Sequence, residues 1–494
     1  MDVLYELVEL LPTSYRVPFP PKLKELYQLL RKKRYTEEEL RAEFCPQSKH
    51  YFNKLKSQLK KALLHCILIN PPVWADSPQK ELMDTCLKEF ATYKLLIAGS
   101  SRLAGIQLAT QLLSKAQRLE QFDLVYVISS DLEFHYSVNE IKTGKAKRYA
   151  QISNKYLELV NAEKLIRRYY GKVMQICSTK SKLSVNDMKV LREAKTNSLP
   201  LLALKSNKFN HFIYNIIIGK YYAEHDYPRV IEYCDKALQS FSKDHPNIAA
   251  LRFAFTSKKI IAFIALEKYA KAKAIAKEAS QLMPMGKFNW HLILIQRIII
   301  CFHSGAYQEA YELYKAQTQY QCPYSLLAEY WKIIQGYLYF FIQAGRIEAY
   351  GEERFNLGKF LNEIPIFSQD KAGVNINVIL IQILILMQRG HFGRIIDKIE
   401  AIQAYARKHT RQPETARAHC FIQMIVKMEA ASFHRASTER KTQKYWQQLE
   451  ATPIRFGQSL AVEMVPYAAL WAIILDMLEH KFRAVRAKRK TTIR

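Results

Sequence analysis

The chain has 494 residues, a formal charge of +29 and 49% hydrophobic residues, which makes it too apolar and too aromatic to be disordered. At roughly 100 to 200 residues per domain, this length predicts about three domains or one elongated array of repeats. The 15 glycines are well below the usual ~7% of a chain, which argues against a dinucleotide-binding sheet or a β-sandwich, because those folds need many tight turns.

The N-terminus and the cysteines indicate a reducing compartment. Asp2, Glu6 and Glu9 stand where a secretory signal would carry positive charge. Eight cysteines are scattered singly, without a Cys-x-x-Cys pair, which is typical of buried thiols rather than disulfides. The sequence therefore predicts a cytoplasmic protein.

Residues 1–69 are predicted to form a basic helical module. The helices are expected at Lys22–Arg34, Glu37–Phe44 and Lys49–Ile69, with Thr36 and Glu39 as a capping box before the second. One apolar stripe runs along the third helix and consists of Phe52, Leu55, Leu59, Leu63 and Cys66.

The other face of the third helix is basic. Its lysines are Lys49, Lys54, Lys56, Lys60 and Lys61. Three short helices ending in a basic one are typical of a helix-turn-helix reader of DNA, whose lysines neutralise phosphates. A solvated basic face on a helical adaptor is the alternative, and the sequence leaves both open.

Residues 70–78 are predicted to be a proline-rich linker, because Pro71 and Pro72 cannot continue a helix. Successive amphipathic helices follow over residues 79–465, and an internal repeat is clearest at 211–317. An aromatic residue follows each turn of the repeat, and alanines that allow close helix packing line the next helix. These repeat-packing residues are Tyr227, Ala237, Tyr269, Ala272, Ala279, Pro284, Gly305, Tyr307 and Ala310.

This pattern resembles the tetratricopeptide repeat. The intervals between the turn aromatics, 42 and 38 residues, are longer than the ~34 of the standard repeat, and Ile218 and Ile260 replace the usual glycine of the first helix. A weaker copy runs from Gly390 to Ile402, and residues 106–116 fit the second helix of another unit. The resemblance implies an α-solenoid of antiparallel helix pairs that binds peptides or helices. The layout also resembles functionally unassigned bacterial helical repeat proteins, which implies architecture only.

The stretch Ala372–Gln388 carries no charged residue and is marginally long enough to span a bilayer. Asn375, Asn377 and Gln382 interrupt it, and helical repeats flank it. We therefore expect a buried helix here and no transmembrane segment.

Residues 466–494 are predicted to form a capping helix that runs into a basic tail. Pro466 suits the first turn of that helix. Residues 480–494 contribute +7 without an acid, and the cations proposed as contacts are Arg483, Arg486, Lys488, Arg489 and Lys490. They either bind nucleic acid or an acidic protein, or complement the helix macrodipole and keep the helix soluble.

The sequence contains none of the common catalytic motifs for which it was searched. No phosphate-binding loop, nucleophile elbow or zinc-binding His-Glu-x-x-His motif occurs, and the 13 histidines are isolated from one another. We therefore expect no catalytic residue, no metal, no cofactor and no small-molecule substrate.

Taken together, these features predict an all-α, non-catalytic protein-binding scaffold in the cytoplasm, with a protein or peptide partner that the charge of +29 suggests is acidic. The alternative is a nucleic-acid-binding regulator, in which residues 1–69 touch DNA and the repeats sense a ligand or partner. An enzyme is the third hypothesis.

Overall fold

The computed structural model describes most of the chain as helix. It describes residues 2–11, 17–32, 35–44, 46, 48–70, 78–179, 183–241, 248–317, 322, 324–350, 374–391, 393, 395–396, 398–400, 402–403, 416–454 and 463–492, without the side chains of 2, 78–79, 178–179, 325–326, 374–375 and 480–492. No strand occurs within these ranges, which confirms the predicted all-α fold class.

Twenty α-helices lie in the described part of the chain. They are α1 (Asp2–Leu10), α2 (Pro21–Lys32), α3 (Glu37–Phe44), α4 (Lys49–Ile69), α5 (Pro78–Ala98), α6 (Arg102–Arg118), α7 (Phe122–Phe134), α8 (Thr143–Thr179), α9 (Val185–Ser198), α10 (Asn207–Ala223), α11 (Tyr227–Ser240), α12 (Ile248–Ala265), α13 (Tyr269–Gln281), α14 (Phe288–His303), α15 (Tyr307–Gln317), α16 (Ser325–Gln343), α17 (Val374–Gln388), α18 (Ala416–Ala430), α19 (Arg435–Ala451) and α20 (Tyr467–Thr492).

The N-terminal helices α1–α4 share one apolar core. The stripe predicted for α4 is buried throughout: Phe52, Leu55, Leu59, Leu63 and Cys66. The predicted capping box of α3 is also present, since Thr36 N donates to Glu39 Oε2 at 2.8 Å and Glu39 N donates to Thr36 Oγ1 at 3.2 Å. Helix α2 begins at Pro21, one residue before the predicted start, and the predicted end at Arg34 lies outside the described residues.

The chain forms two compact units, one comprising Met1–Lys164 and the other Leu165–Lys243 with Ile248–Arg494. The first unit holds the core of α1–α4 and a second core built by α5, α6, α7 and the start of α8. In that second core, the stripe predicted upstream of the repeats is buried on α6: Ile106, Ala109, Leu113 and Ala116. Of the predicted linker, residues 71–77 lie outside the described residues.

The predicted repeat region consists of helix pairs joined by one recurring turn. The pairs are α10 with α11, α12 with α13, and α14 with α15. One residue in each turn adopts a left-handed conformation: His225 (φ +57°), Glu267 (φ +56°) and Gly305 (φ +74°). The next backbone N–H donates to the carbonyl five residues earlier, at 2.9, 2.8 and 2.8 Å respectively. This bond closes the end of the first helix, as in a Schellman motif.

Most of the residues predicted to pack the repeats are buried or lie against another ring. The alanines Ala237, Ala272, Ala279 and Ala310 are buried, as is Tyr227. Tyr307 stacks on Phe341 of α16 with ring centroids 4.1 Å apart, and Tyr269 lies 6.1 Å from the ring of His303. Pro284 is exposed, three residues after α13 ends.

The same turn geometry also occurs outside these three pairs. Glu120, Gly345 and Gly390 have positive φ angles of 51°, 66° and 71°, and each is followed by the same backbone hydrogen bond. Ser100, between α5 and α6, has the same conformation (φ +63°), and Ser101 N donates to Leu96 O at 2.9 Å. The sequence pattern indicated the unit whose second helix is α6 and the unit near Gly390, but it missed the turns at Glu120 and Gly345. In the weak copy, Ile395, Ile399 and Ile402 are buried.

Within the uncharged stretch, residues 374–388 form α17, whose described side chains are mostly buried, as predicted. Asn377 is 1% exposed and accepts a hydrogen bond from Tyr337 OH (2.8 Å), and Gln382 is 6% exposed. Across the described residues, no helix combines the length and apolar composition that a membrane crossing requires.

The turn at Gly305 requires a positive φ angle, and a substitution can test this requirement. A Cβ atom there would meet nothing within 4 Å, so Gly305→Ala acts through the positive φ alone. We expect this change to lower the free energy of unfolding by about 1 kcal/mol, because L-residues are disfavoured in the left-handed region. Urea unfolding followed by circular dichroism measures this change.

Gly171→Ala is the matched control within the same unit. Gly171 lies inside α8, is exposed, and also leaves open space for a Cβ. We expect a stabilisation of about 0.5–1 kcal/mol, because alanine is the better helix former. Equal effects of the two substitutions would contradict the assigned turn.

Candidate functional site

Four of the five lysines that were predicted to form the basic face of α4 are exposed. Ser48 caps this helix by accepting a hydrogen bond from Tyr51 N at 3.2 Å. The exposed lysines are Lys49, Lys54, Lys60 and Lys61. Lys56 differs, because it is half-buried and its Nζ lies 2.6 Å from Glu37 Oε1. This hydrogen bond lowers the pKa of Glu37, and Lys56 therefore links α4 to α3.

Three polar side chains share this exposed face and were missed by sequence reasoning. They are Asn53, Ser57 and Gln58, all exposed. The helical period that placed the lysines opposite the apolar stripe also places these side chains there. The outer face of α4 thus combines amide groups with cations.

The cations proposed in the basic tail lie beyond the described side chains. Helix α20 continues to Thr492, so the backbone at Arg483, Arg486, Lys488, Arg489 and Lys490 is helical. The contacts of these side chains stay a prediction.

A buried ion pair organises the C-terminal helices. Arg417 of α18 binds both carboxylate oxygens of Glu463, at 2.7 and 3.0 Å. Its remaining donor group reaches the carbonyl oxygens of Leu449 and Thr452 at the end of α19, both at 2.7 Å. Glu463 also accepts a hydrogen bond from Tyr467 N at 2.8 Å, where α20 begins. One guanidinium therefore joins the ends of three helices.

The same cluster contacts a repeat helix. His303 of α14 lies with its Nε2 atom 2.8 Å from the backbone oxygen of Glu463. Burial lowers the pKa of His303. Further along α20, Asp476 pairs with Arg346 at the turn after α16, at 3.2 Å. The C-terminal helix thus contacts the turn after α16 and its neighbours α17, α18 and α19, and the segment just before it contacts the end of α14.

A largely apolar groove of about 480 Å³ lies between α19 and α20. Its lining residues are Glu439, Arg440, Thr442, Gln443, Trp446, Trp471, Ala472 and Leu475. Trp471 is buried, and its ring lies edge-on to Phe421 at 6.4 Å. Trp446 is half-buried on the facing helix. This volume lies in the usual range for ligand pockets, roughly 300–1,000 Å³.

The charges around the groove are mostly satisfied within the chain. Arg435 pairs with Glu439 at 3.2 Å and also with Glu479, while Asp476 pairs with Arg346. Arg440 lines the groove, is exposed, and has no ion-pair partner among the described residues. The unneutralised charge at the rim is therefore positive.

Adjacent aromatic side chains on α10, such as Tyr221 and Tyr222, are buried. Tyr221 is 3% exposed and stacks on Tyr233, with ring centroids 5.3 Å apart. Although burial opposes the shift, hydrogen bonds from Lys195 (2.8 Å) and Arg229 (3.2 Å) lower the pKa of Tyr221. A buried ring of this kind fills space between helices and is not available for stacking on a base.

His211 of α10 predicts a pH dependence of stability. It lies against the rings of Phe212 and Phe255, and burial, assisted by Lys258, lowers its pKa to about 4 from 6.5. The unfolded chain therefore binds a proton at a pH where the folded protein does not. Stability is fully present above pH 6.5 and is expected to fall as the pH drops from about 6.5 to about 4.

Urea unfolding of His211→Gln over this pH range tests the assignment. We expect a shallower fall in stability than in the unsubstituted protein, because one proton-binding difference is removed. Burial also lowers the pKa of His303 and His419, so part of the slope persists. Identical slopes would show that His211 is not responsible.

Potential metal ligands do not cluster in the described part of the structure. There, no three His, Cys, Asp or Glu side chains lie close enough together to hold a metal ion. Comparison of the chain with protein-family models, with curated proteins and with solved structures found no match.

Proposed function

We propose that the protein is a non-catalytic helical-repeat scaffold that binds an acidic amphipathic helix of a partner protein in the groove between α19 and α20. The groove is the observation that carries this proposal. It presents two tryptophans and Leu475 to an apolar side chain of the partner, and helices dock into such grooves through apolar residues at i, i+3 or i+4 and i+7.

The charges around the groove support an acidic partner. The carboxylates around the groove, Glu439, Asp476 and Glu479, already pair with arginines of this chain, whereas Arg440 does not. Beyond residue 480, the sequence of α20 carries only basic charges. A carboxylate of the partner beside Arg440 would complete the pairing, while a basic partner would meet repulsion.

The recurring helix pairs support the same interpretation. Each pair buries alanines such as Ala272 and closes its first helix with the same left-handed turn, features that agree with a tetratricopeptide-like array. The free cysteines of the described residues agree with a cytoplasmic location.

Affinity capture with groove variants tests the proposal. Tagged protein, Trp446→Ala and Arg440→Glu are compared in extracts of the source cells, with Tyr445→Ala as the control. Tyr445 is half-buried on the same helix and does not line the groove. We expect a partner that is retained by the unsubstituted protein and the control and lost by both groove variants.

A synthetic peptide from the retained partner completes the experiment. Its acidic amphipathic helix should bind in fluorescence anisotropy and change the emission of Trp446, and replacing its acids by lysine should abolish binding. Capture that is equal for all variants would exclude the groove. The scaffold function would be excluded if no protein exceeded background at several salt concentrations.

A further inference from the structure

Helix α4 carries an unusual concentration of positive charge. Its 21 residues include five lysines and no acid. Lys54 and Lys61 are exposed, as are Asn53, Ser57 and Gln58 between or beside them. None of these five side chains has a hydrogen-bond or ion-pair partner among the described residues. The donor groups of this surface are therefore available to a ligand that carries many hydrogen-bond acceptors.

The orientation of α4 separates this face from the acids of α3. Lys56 contacts Glu37 and so marks the side of α4 that faces α3. At 3.6 residues per turn, Lys54 and Lys61 lie about 160° and 140° around the helix from Lys56. They consequently point away from α3.

Most acids of α3 are also engaged by groups of the chain itself. Glu37 pairs with Lys56, Glu39 accepts a hydrogen bond from the backbone N of Thr36, and Glu43 accepts one from Tyr35 OH at 3.3 Å. The ion pair neutralises Glu37, and the hydrogen bonds hold the carboxylates of Glu39 and Glu43 against Thr36 and Tyr35. Electrostatics on that face are set by its lysines.

We propose that the outer face of α4 binds duplex DNA in the major groove, with Lys54 and Lys61 on phosphates and Asn53 and Ser57, which lie about 40° apart around the helix, at base edges. An α-helix fits the major groove, the amide of Asn pairs with the N6 and N7 atoms of adenine, and a serine hydroxyl can contact any base. Lysines that neutralise phosphates release counterions and supply the affinity.

The position of these residues along α4 agrees with such docking. In helix-turn-helix proteins, residues in the N-terminal part of the second helix contact the bases. Asn53, Lys54, Ser57 and Gln58 all lie in the first three turns of α4, which follows α3 after a short connection. Leu64 and Leu68, which are 49% and 57% exposed, follow Lys61, so the polar face ends there.

Fluorescence anisotropy with a labelled random-sequence DNA duplex tests the phosphate contacts on the full-length protein. We expect binding at ~50 mM salt that weakens steeply at ~200 mM. Lys54→Glu with Lys61→Glu should weaken binding at least tenfold and reduce the slope of log affinity against log salt by about 2, since each lost phosphate contact removes about 0.9.

A charge-matched variant provides the control. Lys271→Glu with Lys277→Glu changes the net charge equally at two exposed positions of α13. It should alter DNA affinity less than about threefold, because general steering is weaker than direct contact. Circular dichroism of both variants checks that the helices are retained.

Selection from a random duplex pool tests the base contacts. Asn53→Ala with Ser57→Ala should reduce the preference for the selected sequence over random duplex at least tenfold, while binding to random duplex persists. A pool without a preferred sequence would overturn the base-reading role.

Three results would overturn duplex binding by α4. These are no binding at ~50 mM salt, an equal loss in the control variant, and tighter binding of single-stranded DNA or RNA than of duplex. The proposal is independent of the groove between α19 and α20. Trp446→Ala should leave DNA affinity unchanged, so each proposal can fail without the other.

Discussion

Replacement of Arg417 by alanine should lower the free energy of unfolding by about 3–5 kcal/mol, because it leaves the carboxylate of Glu463 buried without its partner. The side chains of this pair are only 12% and 7% exposed. The same change removes the donors to the last carbonyls of α19. Urea unfolding followed by circular dichroism and by tryptophan fluorescence measures the loss.

The destabilisation by Arg417→Ala should arise because a buried charge loses its partner, and breaking an exposed ion pair should not reproduce it. Lys236→Ala breaks the pair with Glu232 on the surface of α11, where both side chains are about half exposed, and should change stability little. Arg417→Met combined with Glu463→Gln removes both charges and should be less destabilising than Arg417→Ala alone. A loss for Arg417→Ala no larger than that for Lys236→Ala would contradict the role assigned to the pair.

The helices were predictable because their signals are local. The stripe of α4, from Phe52 to Cys66, recurs every three or four residues and needs only its own helix to be recognised. The repeat-packing alanines and turn aromatics are likewise set by spacing within one helix pair. These predictions required no knowledge of which helices meet in space.

The turns were only partly predictable. Glycine marks the left-handed position at Gly305 and Gly390, but Glu267 and His225 adopt it as well. Such residues rarely have a positive φ, so their sequence gives little signal for that conformation. At Gly345 a glycine is present, but the aromatic and alanine pattern that flags the other units does not follow it.

The candidate sites depend on contacts between distant segments. Arg417 and Glu463 are 46 residues apart, and His303 meets Glu463 across 160 residues. Trp446 lies in the mostly polar helix α19, and Trp471 lies near the start of α20. Because the groove forms only where these two helices meet, no pattern within one helix predicts it. For α4 the periodicity gave the basic face, but the ion pair that turns Lys56 toward α3 needed the fold.

Truncation of Phe421 should have the second large effect on stability. This side chain is fully buried, stacks on Tyr467 with ring centroids 4.7 Å apart and supports the ring of Trp471. Phe421→Ala is expected to lower the free energy of unfolding by about 3–5 kcal/mol, since it removes buried apolar surface and leaves a cavity. Urea unfolding gives the value, and Trp471 fluorescence reports the change beside the groove.

The same substitution at an exposed phenylalanine shows whether the loss of stability comes from burial of the ring rather than from the change of residue type. Phe134 at the end of α7 is 63% exposed, and Phe134→Ala should change stability by no more than about 0.5 kcal/mol. Since Phe421 holds Trp471 in the groove wall, Phe421→Ala should also weaken binding of the acidic helix under conditions where the variant remains folded. Undiminished binding in that variant would show that the groove does not depend on the packing behind Trp471, and the docking site would then have to lie on Trp446 and Arg440 alone.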